Sequence, residues 1–314
     1  MENIIEIKGL TKTYKKNKKK AVDNLSLRVL KGEIFGLLGP NGSGKSTTIN
    51  SILSLLNYEK GDIKVFGDKM DVNSYDIKKR IGVVFQDIAV FDELNVYENV
   101  DFFCGLYVDD KKEREKCVKE ALKLVGLDKY TKYKPKELSG GLLRRLNIAC
   151  GIAHKPELIF LDEPTVGVDP QSRNRILENI KELNKKGATV VYTSHYMEEI
   201  EELCNYIIVL DKGKVIASGT VDELKEGINV DEKITVIAKE LTKDVINKVK
   251  KLNKVTEVTY DGKSLHVKYS KNNNNLKEMI KFLEDNNIIY EKIFSELPTL
   301  NDVFLELTGK DLRD

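Results

Sequence analysis

Two kinds of apolar spacing run along this chain, and each predicts a different kind of strand. Residues 4–10 alternate, Ile5 and Ile7 against Glu6 and Lys8, as a strand does when one face is buried and the other wet. Leu25, Leu27 and Val29 repeat the alternation before a Lys31-Gly32 turn, and Ile63 and Val65 do so before Gly67-Asp68. These runs predict an antiparallel β-subdomain. Residues 34–38, 83–85, 158–161, 189–192 and 207–210 are instead compact and nearly all apolar, the pattern of parallel strands covered on both faces. Helical spacing lies between them, including 113–124 and 173–183, so this part of the chain reads as an α/β core.

The pattern changes near residues 220–232, where Gly219-Thr220 is followed by a charged segment. Beyond it we expect a strand at 234–238, a helix at 243–252, and strands at 255–260 and 264–269 around the Asp261-Gly262 turn, a strong hairpin signal. A polar loop at 272–275, a helix at 276–283 and a strand at 288–294 complete the order βαββαβ, that of a ferredoxin-like split fold. A last helix carries Leu300, Val303, Phe304 and Leu307 on one face, opens on a Thr299/Asp302 capping box and stops at Gly309. The expected organisation is a first domain over 1–225, with a helical subdomain at about 87–155, and a small α+β domain over 226–314.

Composition narrows the partners. Across 314 residues, 52 Lys and Arg nearly cancel 50 Asp and Glu, so no large basic field points to nucleic acid. The one dense cluster, Lys15-Lys16 and Lys18-Lys19-Lys20, reads as a solvated turn between two strands. Cys104, Cys117, Cys150 and Cys204 form no CxxC pair and fit free thiols. His154, His195 and His266 are too dispersed to propose a metal cluster. No leader pattern follows Met1, and the longest stretch without Asp, Glu, Lys or Arg, 46–58, falls short of the ~18 residues a spanning helix needs. The expectation is a cytoplasmic chain that reaches any membrane through another protein.

The candidate chemistry begins at Gly39-Pro40-Asn41-Gly42-Ser43-Gly44-Lys45-Ser46, a full match to G-x-x-x-x-G-K-[ST]. Its glycines let backbone N–H groups turn towards phosphate oxygens, helped by the N-terminus of the following helix. Ile49, Ile52, Leu53 and Leu56 supply that helix's apolar face, with Thr47 inside its first turn. Lys45 is expected to reach the β- and γ-phosphates and Ser46 to ligate Mg²⁺. The second element is Leu158-Ile159-Phe160-Leu161-Asp162-Glu163, a buried strand whose carboxylates emerge where open α/β sheets bind ligands. Asp162 would hold Mg²⁺ through water and Glu163 would polarise the attacking water. Acidic pairs at strand ends are common, so this element gains its meaning from the P-loop.

With these motifs, residues 4–220 resemble the ATP-binding cassette ATPases. Leu138-Ser139-Gly140-Gly141 is similar to that family's signature, although Leu142 stands where Gln is usual. Ser139 can cap a helix whose free N–H groups form an anion site, and an ordinary capped helix is the plain alternative for an isolated Ser-Gly-Gly. The resemblance further implies that Tyr14 stacks on adenine and that Gln86 senses Mg²⁺ and the γ-phosphate. It likewise implies that Gly167-Val168-Asp169 is the D-loop and that His195 is the switch histidine; His154 and His266 match no motif. It implies ATP and Mg²⁺ as ligands and a dimer of cassettes, because the signature of one subunit closes over the P-loop of another. The resemblance also implies that the 87–103 region is where such ATPases receive a membrane subunit, with core of the helical subdomain the equal alternative for its apolar residues. The 298–309 tail and Arg144-Arg145 resemble the type-2 exporter group for drugs, antibiotics and sodium. The expected function is therefore an ATPase subunit, dimerising around two ATPs, that powers export through a separate permease. The alternative class is a cassette ATPase acting on nucleic acid or the ribosome.

Overall fold

The computed structural model describes residues 2–14, 19–227, 232–238, 241–270 and 275–309. Lys15, Lys16 and Lys18 of the basic cluster, and residues 272–274 of the polar run, lie outside them. The chain divides into two compact units, one ending at Val221 and the other starting at Asp222.

The first unit opens with β1 (Asn3–Tyr14), β2 (Lys19–Leu30), β3 (Ile34–Leu38), α1 (Lys45–Ile52), β4 (Lys60–Val65), β5 (Asp68–Lys69), α2 (Tyr75–Lys78) and β6 (Ile81–Val84). Three helices follow, α3 (Val96–Gly105), α4 (Lys111–Leu124) and α5 (Gly140–Ile152). The unit ends with β7 (Leu158–Asp162), α6 (Pro170–Lys185), β8 (Thr189–Ser194), α7 (Met197–Leu203), β9 (Tyr206–Asp211) and β10 (Lys214–Gly219).

The alternating runs form one antiparallel sheet, ordered β2-β1-β4-β5. Its register stacks like on like: Ile5 faces Val29 and Val65, and Ile7 faces Leu27 and Ile63. One face is therefore continuously apolar, which fixes the pairing, because a one-residue slip would turn every apolar side chain outward. The compact apolar runs form a second sheet, ordered β10-β9-β3-β8-β7-β6. Strands β9, β3, β8, β7 and β6 are parallel and β10 is an antiparallel edge. All five residues of β3 and of β7 are buried, as strands covered on both faces require. Because these strands run the same way, the loops after β3, β6, β7 and β8 leave from one edge.

The expected strand at 83–85 is displaced. β6 covers Ile81–Val84 and pairs Ile81 with Leu158 through Val84 with Leu161. Phe85 falls outside because its carbonyl accepts from Arg144 and Asn147 of α5 instead of continuing the ladder. Helix α3 opens on a capping box in which Asn95 and Glu98 each accept the other's backbone N–H.

Helix α8 (Val221–Glu226) spans the boundary, and the second unit goes on with β11 (Glu232–Ile237), α9 (Lys243–Val249), β12 (Val255–Tyr260), β13 (Ser264–Tyr269), α10 (Asn275–Asp285), β14 (Lys292–Glu296) and α11 (Leu300–Thr308). Its sheet order, β12-β13-β11-β14, is the split arrangement expected of βαββαβ. Ile234, Val236, Leu265, Val267 and Tyr269 of the sheet form a core with Val249 of α9 and Met279 and Leu283 of α10. Three local expectations are corrected here. Asn275 starts α10 rather than ending a loop, and its amide donates to Glu232. Residues 288–291 are not strand: Asn287 turns left-handed (φ 53°) and the Ile288 N–H bonds back to Leu283 O, so Ile288 caps α10. On α11, Leu300, Val303 and Phe304 are buried but Leu307 is 42% exposed; the Thr299/Asp302 box and Gly309 cap are as expected.

Candidate functional site

The site grows from the edge where β3, β7 and β8 end. After β3 the chain turns through residues 39–44 into α1. Gly44 has φ 111°, and a Cβ there would lie 2.5 Å from Ala21 O, so both conformation and space demand glycine. Lys45 is folded inward: its Nζ donates to Gly39 O at 2.7 Å and Pro40 O at 3.4 Å, and pairs with Glu163 Oε1 at 3.0 Å. Both side chains are nearly excluded from solvent, at 4% and 6% exposed. Ser46 is exposed in the first turn of α1. Tyr14, at the end of β1, is exposed, and its hydroxyl lies 3.4 Å from Thr47 Oγ1, which brings an aromatic ring beside the phosphate loop.

Strand β7 delivers the carboxylates. Glu163 adopts φ 49°, a left-handed conformation rare for a residue with a side chain. The strain is held by Thr193, the neighbour of Asp162 in the β7–β8 register. Thr193 Oγ1 donates to Asp162 Oδ1 at 2.6 Å and accepts the Glu163 N–H at 2.9 Å. One hydroxyl thus sets both acidic residues. Glu163 Oε2 lies 3.4 Å from His195 Nδ1, in reach of a charge pair yet not aligned for a hydrogen bond. Glu163 therefore bridges Lys45 and His195, residues 118 and 32 positions away from it along the chain and brought together at the sheet edge.

Among the described residues, the other candidates, Gln86, Ser139, Gly140, Gly141 and Asp169, make no hydrogen bond or ion pair to this cluster. Gln86 is exposed, and its backbone rather than its side chain is held: Arg144 Nη1 donates to Gln86 O at 2.7 Å and Phe85 O at 3.3 Å. Asn147 adds a bond from Ala89 N–H to its Oδ1 at 3.0 Å. Ser139 caps α5 by accepting the Leu142 N–H at 3.4 Å. Among the described residues, no hydrogen bond or ion pair joins Ser139, Gly140 or Gly141 to Lys45, Glu163 or His195. Gly141 instead meets α6, where an added Cβ would clash with Ser172 Oγ and lie 2.6 Å from Ser172 Cβ. Asp169 caps α6 through the Ser172 N–H, and hydrogen bonds from Ser172 hold its carboxyl below the usual range. The 139–141 and 169 segments are therefore packed together.

Sequence reasoning missed Thr193, Arg144 and Asn147 as organising residues. The signal for Thr193 was a hydroxyl at the end of an apolar strand. Arg144 was noted only as part of an Arg pair, and Asn147 was a polar residue in an otherwise apolar helix face, alongside Leu146, Ala149 and Ala153.

A phosphate loop, a paired strand-end carboxylate and a histidine on one sheet edge define a P-loop nucleoside-triphosphatase. Residues 22–166 match the family described as ABC transporter. Over 314 residues, spanning 99% of this chain and 100% of the relative, it is 39% identical to the linearmycin resistance ATP-binding protein LnrL of Bacillus subtilis (strain 168). It is 34% identical to the daunorubicin resistance ATP-binding protein DrrA3 of Streptomyces coeruleorubidus, over 99% and 98% of the two chains. Among solved structures it resembles the dimeric post-hydrolysis state of the ATP-binding cassette MJ0796 bound to ADP and Pi, at 32% identity and a TM-score of 0.63. That match covers 69% of this chain and 98% of the other. The chain belongs to the ATP-binding cassette family and is an ATP-binding ATPase subunit of the ABC transporter type. Among the described residues no helix is long and apolar enough to cross a membrane.

Proposed function

We propose that this chain hydrolyses ATP at two sites shared between two cassettes and uses the cycle to drive export through a separate membrane permease. The observation that carries the reading is the Lys45–Glu163–His195 cluster, together with a Ser139 segment bonded to none of its members. A P-loop and a signature segment that share no bond within one chain are what two half-sites require. In this reading Tyr14 stacks on adenine, and the backbone of 39–47 and Lys45 hold the phosphates. Ser139, Gly140 and Gly141 of the partner cassette close over the γ-phosphate, with Asp169 at the same interface. Glu163 takes the proton of the attacking water, and His195, close to its other oxygen, orients the γ-phosphate.

The donors for a divalent cation fit Mg²⁺: a hydroxyl from Ser46, an amide oxygen from Gln86 and, through water, the Asp162 carboxylate. Hard oxygen ligands in small number suit Mg²⁺, which when bound would neutralise phosphate charge.

Residues 1–225 form the catalytic cassette in this proposal, and 226–314 an accessory domain. An exposed apolar face supports docking of a permease helix to the cassette. Phe85, Ile88, Phe102, Leu106 and Tyr107 are exposed, and a groove of about 360 Å³ runs between Leu53, Phe103 and His154. The resistance functions in the names of LnrL and DrrA3 support export as the direction. The test is ATP-driven dimerisation of Glu163→Gln, read as molecular mass by light scattering after size exclusion. A dimer that forms with ATP and dissociates on its removal is expected; a monomer at saturating ATP refutes the shared site. Co-purification of the tagged chain with a multi-span membrane protein tests the export reading, and recovery with no membrane protein refutes it.

A further inference from the structure

Glu199, on α7, has no part in the hydrolytic scheme above, yet it is the most heavily bonded buried carboxylate described. It is wholly excluded from solvent. Its Oε2 accepts three hydroxyls, from Tyr192 at 2.7 Å, Thr165 at 2.9 Å and Ser194 at 3.0 Å. Arg173 Nε of α6 lies 3.5 Å from Oε1, which has no hydrogen-bond partner of its own. Burying a carboxylate is unfavourable unless donors surround it, and apolar residues of similar volume often stabilise a fold equally well. What a carboxylate adds over an apolar side chain here is directional: it fixes three hydroxyls on one oxygen and keeps the Arg173 guanidinium beside the other.

Those four groups come from β8, from α6 and from the segment after β7, all next to residues of the candidate site. Thr165 stands two residues after Glu163, at the start of the segment leading to Asp169. Ser194 directly precedes His195, and its hydroxyl also accepts the Tyr196 N–H at 2.9 Å, so the backbone on both sides of His195 is tied to Glu199. Tyr192 lies on β8 two residues earlier, and Thr193 between them already sets Asp162 and Glu163. Arg173 belongs to α6, the helix that Asp169 caps and that Gly141 packs against. The facing charged and titratable groups are Arg173, Tyr192 and Cys204; burial and the neighbouring carboxylate push the Tyr192 hydroxyl and the Cys204 thiol upward, so neither ionises near neutrality.

We propose that Glu199 is a positioning residue for hydrolysis: it holds the His195 segment and the Glu163-to-Asp169 segment in one geometry, so that closure at the D-loop aligns the γ-phosphate end. The proposal rests on the roles assigned above to Glu163 and His195. It requires no contact between Glu199 and nucleotide. Its signature is a loss of turnover without a loss of binding, since a displacement of about 1 Å at a reacting group can lower rate by ~10²-fold.

The test uses the purified full chain with Glu199→Gln, which keeps volume and one acceptor oxygen but loses the charge and the second acceptor. Steady-state hydrolysis is expected to show kcat lowered at least about tenfold with KM and affinity for a non-hydrolysable ATP analogue within about twofold of wild type. Thr165→Val, which removes one donor with little change of shape, is expected to give the same split to a smaller degree, and it decides the matter if Glu199→Gln does not fold. Wild-type kcat, or kcat and nucleotide affinity falling together, overturns the proposal. Glu163→Gln measured in parallel separates the levels. If it still turns over, the reading of the site fails; if it is inactive while Glu199→Gln is normal, only the Glu199 inference fails.

Discussion

Replacing Glu163 by Gln is expected to lower stability without nucleotide while enlarging the stabilisation that ATP confers. In the structure Lys45 Nζ lies 3.0 Å from Glu163 Oε1, with both groups buried. At an effective dielectric of about 20 that separation corresponds to a gross attraction of about 5.5 kcal/mol, most of it offset by desolvation. The measurable quantity is the cost of leaving Lys45 without its counter-charge, typically ~3–5 kcal/mol for a broken buried pair. Lys45 keeps its bonds to the Gly39 and Pro40 carbonyls, so a loss of about 2–3 kcal/mol is expected. For a unit of this size that is a fall of about 4–12 °C in melting midpoint. A triphosphate competes with Glu163 for Lys45 in the wild type and has no competitor in the variant. Scanning fluorimetry in EDTA, with and without ATP, reads both effects. A nucleotide-free midpoint equal to or above wild type, or an ATP shift no larger than wild type, refutes the reasoning.

Three further outcomes are expected. Gly141→Ala forces a methyl group onto Ser172 and should cost about 1–3 kcal/mol, read from a denaturant midpoint, together with most ATPase activity. Tyr14→Ala should weaken ATP binding by about tenfold, in line with the ~1–3 kcal/mol of base stacking, whereas Tyr14→Phe should bind normally because the 3.4 Å hydroxyl contact to Thr47 is marginal; nucleotide titration checks both. Burial lowers the basicity of His154, whose Nε2–H donates to Ile81 O and whose Nδ1 is buried without a partner. Its folded-state value lies below the unfolded one, so the unfolded chain binds the proton first and stability falls as pH drops below about 6.5. His154→Gln should flatten that part of a stability-against-pH curve between pH 7.5 and 5.5.

The parallel core was legible because its strands are buried on both faces and so carry runs such as 34–38 with no polar interruption. The antiparallel sheet was legible for the opposite reason, a strict alternation that one wet face imposes. The P-loop and the Asp162-Glu163 strand end were legible as local motifs. What could not be read was anything set by partners far along the chain. The end of β6 depends on Arg144, some sixty residues later, capturing the Phe85 carbonyl. The strand expected at 288–294 was shortened because Ile288 satisfies helix α10 rather than the sheet. Thr193 acts across the β7–β8 register and Glu199 reaches from α7 to Thr165 beyond β7, and no local pattern encodes either pairing.

The clamp from α5 onto residues 85–89 has a thermodynamic consequence. Arg144 and Asn147 bond the carbonyls and amide of that segment to the same helix whose first turn carries Gly140 and Gly141. In the proposed shared site, a protein that binds the apolar face around Phe85 better in one position of α5 would shift the presentation of Ser139, and so the affinity for ATP, by a definite factor. Linkage makes the exchange reciprocal: ATP must change the affinity for that docked protein by the same factor. The occupancy of one surface can therefore be measured by titrating the other.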